Sequence, residues 1–134
     1  MSPTIVLRDG RPYMAVGAAG GATIITTVLG ILMNRIDFGK TLPDAIAAPR
    51  ASQRNSATTQ AEPAFLALPT TPGLQELGQK FAVTDTSPLD PSIKIPPTIG
   101  VATGLEMLGD GRVLAAGEPV RRGGSAAGVV SPSR

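Results

Sequence analysis

Two adjacent glycines, Gly20 and Gly21, stand between an apolar, strand-like run and a helix-like one. Such a pair lets the backbone approach a ligand closely, and a helix starting just after it presents unpaired N–H groups at the positive end of its dipole. Those donors suit an anionic oxygen: a phosphate, a carboxylate, or the oxyanion of a tetrahedral acyl intermediate. A plain strand-to-helix turn, with glycine needed only for packing, uses the same residues. Nucleotide binding is disfavoured, because no Gly-Lys-Ser/Thr follows and Gly17-Ala18-Ala19-Gly20 does not supply G-x-G-x-x-G. Thr26 and Thr27 carry hydroxyls, but within a helix such groups bond back to a carbonyl one turn earlier. Asp37, Asp44 and Arg50 are spaced to meet at a helix corner, where an Asp–Arg pair would fix the bend.

The 134 residues include no cysteine and no histidine. Disulfides, thiolate chemistry, iron–sulfur clusters, the usual zinc sites and a histidine base are excluded together. Hydroxyls, carboxylates, lysines and the backbone remain, and no cofactor or metal is expected. Twelve basic against ten acidic residues leave a net charge of +2, and Tyr13, Phe38, Phe65 and Phe81 are the aromatics. So small and dispersed an excess makes nucleic acid an unexpected partner. The doublet Arg121-Arg122 reads as a solvated tail.

The elements that must position the glycines follow from periodicity. Strands are expected at about 4–8 and 12–17 around Asp9-Gly10, a favoured hairpin pair. Ile24, Ile25, Val28, Leu29, Leu32, Met33 and Ile36 mark one apolar helix face, from about Ala22 to Asp37, with Gly39 as C-cap. Thr41 should cap a second helix, with Asp44 in its first turn and Pro49 ending it. A strand at about 57–62 and a helix with Thr71 as N-cap and Pro72 at N1 come next. The Pro-rich SPLDPSIKIPP is a loop, and Gly109-Asp110-Gly111 turns a second hairpin. The expected order is ββααβαββ over residues 1–120, with 121–134 a flexible tail. Residues 13–33 carry no charge and could on paper span a bilayer, but their first half is glycine-rich and the rest has the length of a core helix, so no span is expected.

The motifs MSPTIVLRDGRP, AVGAAGGATIITTVL and IDFGKTLPDAIAAPR, in this order over residues 1–50, resemble the small subunit of γ-glutamyltranspeptidases. From residue 98, TIGVATGLEMLGDGRVLAAGEP resembles the family's terminal hairpin. Ala19 stands where many relatives have proline, and Glu118-Pro119-Val120 replaces a commoner Asp-Pro-Arg. The resemblance implies an α+β fold, part of an N-terminal-nucleophile hydrolase αββα sandwich. It implies acyl transfer from glutathione and other γ-glutamyl amides through an N-terminal threonine whose α-amino group is the base. Gly20 and Gly21 match the family's oxyanion-hole pair. The nucleophile and a substrate-holding Ser-Ser pair are expected upstream of Met1. The chain alone is therefore expected to be inactive and to need the large subunit and the upstream small-subunit segment as partners, unless Ser2, once exposed, acts as the nucleophile. Bacterial members are exported, which implies a periplasmic or secreted full-length protein. The readings of another class are a non-catalytic module binding an anion at Gly20-Gly21 and a small membrane protein spanning 13–33.

Overall fold

The computed structural model describes residues 2–87, 89–121 and 124–131. They divide into two compact units, one formed by residues up to 48 with those from 100 onward, the other by 49–99. The first unit holds β1 (Thr4–Arg8), β2 (Arg11–Ala19), α1 (Ile24–Ile36) and α2 (Leu42–Ala47). The second holds β3 (Ala51–Ser52), β4 (Thr59–Ala61), α3 (Pro63–Leu66), α4 (Thr71–Glu76) and β5 (Phe81–Ala82). The chain then returns to the first unit as β6 (Val101–Met107), β7 (Val113–Gly117) and β8 (Ala127–Val130). The observed order is longer than ββααβαββ by the short elements β3, α3 and β5 and by β8.

In the first unit five antiparallel strands run in the order β1-β2-β6-β7-β8. Asp9 and Gly10 both take positive φ, 52° and 74°, which gives the β1–β2 turn the backbone twist that hairpins favour. One sheet face carries α1 and α2, and between them lie Met14, Val16, Val28, Ile31, Leu42, Ile46, Ala102 and Ala116. This aliphatic core is what holds the β2–α1 junction in place. The buried face of α1 is Thr27, Val28 and Ile31, not the whole stripe read from periodicity. Ile25, Leu29, Met33 and Ile36 are exposed, because the helix is apolar nearly all round and one side only can meet the sheet.

Local signals at the helix ends hold. The Asp37 and Phe38 N–H groups both donate to the Met33 carbonyl, and Gly39 follows at φ 68°. Thr41 caps α2 by accepting the Asp44 N–H at 3.3 Å, while its own hydroxyl donates to the Asp44 carboxylate. Asp44 is thus engaged within its own turn. Replacing Thr41 with Ala should destabilise the first unit by about 1 kcal/mol, read as a lower urea midpoint at unchanged slope.

Residues 13–33 divide among β2, the Gly21–Thr23 turn and α1. None of the described helices is long and apolar enough to cross a membrane. Within the stretch expected to be a tail, Ala127–Val130 pairs with β7, Ala127 opposite Ala116 and Val130 opposite Val113, while 122–123 and 132–134 lie outside the described residues. Of the doublet Arg121-Arg122, Arg121 is buried rather than solvated, and Arg122 lies outside the described residues.

The second unit pairs β3 antiparallel and β5 parallel to β4. Buried Glu62 organises it, accepting the Arg50 N–H at 2.9 Å and the Ile99 N–H at 2.8 Å, while the Arg50 guanidinium donates to the Ile99 carbonyl at 2.8 Å. Thr71 does not cap α4. Its hydroxyl donates to the Phe65 carbonyl at 2.8 Å, and Thr70 occupies the cap position.

Candidate functional site

Gly20 and Gly21 lie where the sequence reading puts them, at the end of β2, and Gly21–Thr23 forms a single 3₁₀ turn before α1. Both have positive φ, 154° and 58°. The Thr23 N–H donates to the Gly20 carbonyl at 3.2 Å, and the Thr23 hydroxyl donates to the same oxygen at 2.9 Å. With the first turn closed at Thr23, the N–H groups that precede it have no acceptor within the helix. They sit at the positive end of a 3₁₀–α segment with no acidic side chain in its first turn. An incoming anionic oxygen therefore meets no competing carboxylate from this helix.

Close packing behind the turn explains why residue 20 lacks a side chain. A Cβ there would lie 2.8 Å from the Thr23 hydroxyl oxygen and 2.9 Å from the Gly100 Cα. Gly100, at φ 65°, is itself pressed on Thr27, whose hydroxyl oxygen would lie 2.5 Å from a Cβ on residue 100. Gly21 differs, with no atom within 4 Å of its Cβ position. Residue 20 thus packs inward and residue 21 faces open space. The sequence reading took in neither Thr23 nor Gly100. Thr23 carried a signal, since a threonine three residues after a glycine at a helix start can bond back to it; Gly100 is brought in only by the β2–β6 pairing, which ends at Ala19 opposite Val101.

Two ion pairs lie in the first unit, one fully buried and one half-buried. Arg121 donates to Glu118 at 3.0 Å and to the Ile46 and Ala48 carbonyls at 3.2 and 2.9 Å. Arg35 grips Glu106 through two parallel hydrogen bonds, and that partner holds its guanidinium above the ordinary arginine value. On the face away from the helices an open trough of about 670 Å³ is lined by small and apolar residues, among them Ile5, Ala15, Gly17, Leu105 and Ala115. Among the described residues no cluster of acidic side chains is placed to hold a metal ion.

Comparison with known proteins matches residues 1–129 to the family model described as gamma-glutamyltranspeptidase. A glutathione hydrolase proenzyme of Pseudomonas sp. (strain A14) is 37% identical over 130 residues, 96% of this chain and 22% of the relative. The chain thus spans about a fifth of that relative's length. Among solved structures, a gamma-glutamyltranspeptidase from Pseudomonas nitroreducens complexed with L-DON superposes with a TM-score of 0.73 at 25% identity, covering 94% of this chain and 61% of that one. A cephalosporin acylase from Bacillus halodurans gives 0.70 at 25% identity, covering 98% of this chain and 22% of that one. The architecture is accordingly part of an N-terminal-nucleophile hydrolase αββα sandwich. With a family match over nearly its whole length, the chain belongs to the gamma-glutamyltranspeptidases.

Proposed function

We propose that this chain is the C-terminal part of the small subunit of a γ-glutamyltransferase and glutathione hydrolase, and that its Gly20-Gly21 turn is the oxyanion hole. The observation that carries the reading is the glycine turn with positive φ at both residues, its carbonyl tied to Thr23 and its N–H groups at a helix start. The substrate is glutathione or another γ-glutamyl amide. A threonine hydroxyl outside this chain attacks the γ-carbonyl while the same residue's α-amino group takes the proton, which suits a segment without histidine. The carbonyl oxygen becomes an oxyanion and accepts hydrogen bonds from Gly20 and Gly21 N–H. Collapse expels the amine, which takes the proton from the α-ammonium group, and leaves an acyl-enzyme that water or an acceptor amino group then cleaves.

The partners in this reading are the large subunit and the upstream part of the small subunit. Two uncovered apolar surfaces support it: the trough on the open sheet face, and the α1 stripe of Ile25, Leu29, Met33 and Ile36. Uncovered apolar area of this kind marks an interaction surface. By the same reading the complete protein is periplasmic or secreted.

Assay of a γ-glutamyl anilide tests the division of labour. The chain alone should release no glutamate, and the complete enzyme containing residues 1–134 should release it. Turnover by the isolated chain that is abolished by Ser2→Ala would place the nucleophile inside this segment and overturn the proposal.

A further inference from the structure

The Gly20 carbonyl and the Gly21 N–H belong to one peptide unit, and no peptide bond among the described residues is cis. In a planar trans peptide the two groups point in opposite directions. Two donors, both from Thr23, hold that carbonyl: the backbone N–H at 3.2 Å and the hydroxyl at 2.9 Å. Drawing the oxygen toward the start of α1 turns the Gly21 N–H away from the helix. A peptide between two glycines has little steric resistance to rotating into another orientation, so its direction depends on such bonds. Gly20 is also walled in, by Thr23 on one side and by the Gly100 backbone on the other. Thr27, one turn further along, supplies packing against Gly100, and its buried hydroxyl makes no hydrogen bond.

We propose that Thr23 is the positioning residue of the oxyanion hole: its hydroxyl fixes the Gly20–Gly21 peptide so that the Gly21 N–H is aimed before the substrate arrives. The inference rests on the oxyanion reading of the turn and adds the group that orients it. A donor held in place costs no reorganisation at the moment of reaction, whereas one that must first rotate does.

The test uses the complete enzyme with kcat taken per titrated active site, so that unfolded molecules drop out. Thr23→Val keeps the side-chain shape and the backbone N–H but removes the hydroxyl bond. It should lower kcat about three- to tenfold, the worth of one net hydrogen bond, with KM changed less than about twofold. Thr23→Ser keeps the hydroxyl and should restore kcat to within about twofold. Thr23→Ser and Thr23→Ala both lack the methyl and differ in the hydroxyl, so this second pair isolates the same bond if valine packs poorly. A merely structural threonine would lower the melting temperature in all three variants and leave kcat per site alone; that result, or equal losses in Ser and Ala, overturns the positioning role. Gly20→Ala run in parallel separates the two layers. If it lowers kcat steeply while Thr23→Val does not, the oxyanion reading stands and the role of Thr23 falls. If Gly20→Ala leaves kcat per site unchanged, the oxyanion reading itself falls and this inference with it.

Discussion

In the complete enzyme, Gly20→Ala should lower kcat about 10²- to 10³-fold, the effect expected for losing one oxyanion donor, with a much smaller change in KM. The size follows from the packing. A methyl group at residue 20 would lie 2.9 Å from the Gly100 Cα and 2.8 Å from the Thr23 hydroxyl oxygen, at a φ of 154°. Backbone cannot yield as a flexible side chain does, so the turn must move, and its N–H groups move with it. Gly21→Ala is milder. Its Cβ position is free of neighbours, and the left-handed φ of 58° costs an alanine about 1–2 kcal/mol, enough for roughly a tenfold loss if the strain is relieved by turning the peptide. Gly10→Ala is the control, with φ 74°, no neighbour within 4 Å and a place in the β1–β2 hairpin turn. It should cost stability and leave kcat per active site unchanged. If the Gly20 and Gly10 variants behave alike, the oxyanion assignment is wrong and the turn is structural.

What was legible in the sequence is what short-range chemistry decides. Asp9-Gly10 dictates a tight hairpin and Thr41 a helix start, because each solves a backbone problem within four residues. The glycine pair before a helix is of this kind, so the turn itself is legible from local pattern, while its reading as an oxyanion site draws on the family resemblance. The misses need partners far along the chain. Strands β3 and β5 are two residues each and carry no period of their own; β4 defines them by pairing. Strand β8 is Ala-Gly-Val-Val in a Gly- and Ala-rich stretch, and its edge position on β7 makes it a strand. For α1 the local period is present but does not choose the buried side. The periodicity was real, but two apolar sides compete for one sheet, and Thr27 ends up inside while Ile25 lies outside. Thr71 has the composition of a cap but is drawn to the Phe65 carbonyl.

Arg121→Met should destabilise the first unit by about 3–5 kcal/mol, the cost of stranding one member of a buried ion pair. Arg121 is 2% exposed and Glu118 1%. The Arg121 guanidinium reaches Glu118 at 3.0 Å, and it also donates to the Ile46 and Ala48 carbonyls at the C-terminal end of α2, where a cation opposes the negative end of the helix. Glu118 in turn accepts the Ala102 and Val120 N–H groups at 3.4 and 3.3 Å. One ion pair therefore ties β6, the end of β7 and the end of α2 together. With methionine at 121, the Glu118 charge remains buried and both carbonyls lose a donor. On unfolding in urea the midpoint should fall by at least about 1 M. Pairing Arg121→Met with Glu118→Gln removes the stranded charge, so the double variant should recover part of the loss and the cycle should show a coupling of about 1–3 kcal/mol. Strict additivity, or a single-variant loss below about 1 kcal/mol, would show that water reaches this corner and that the pair does not hold the terminal hairpin to α2.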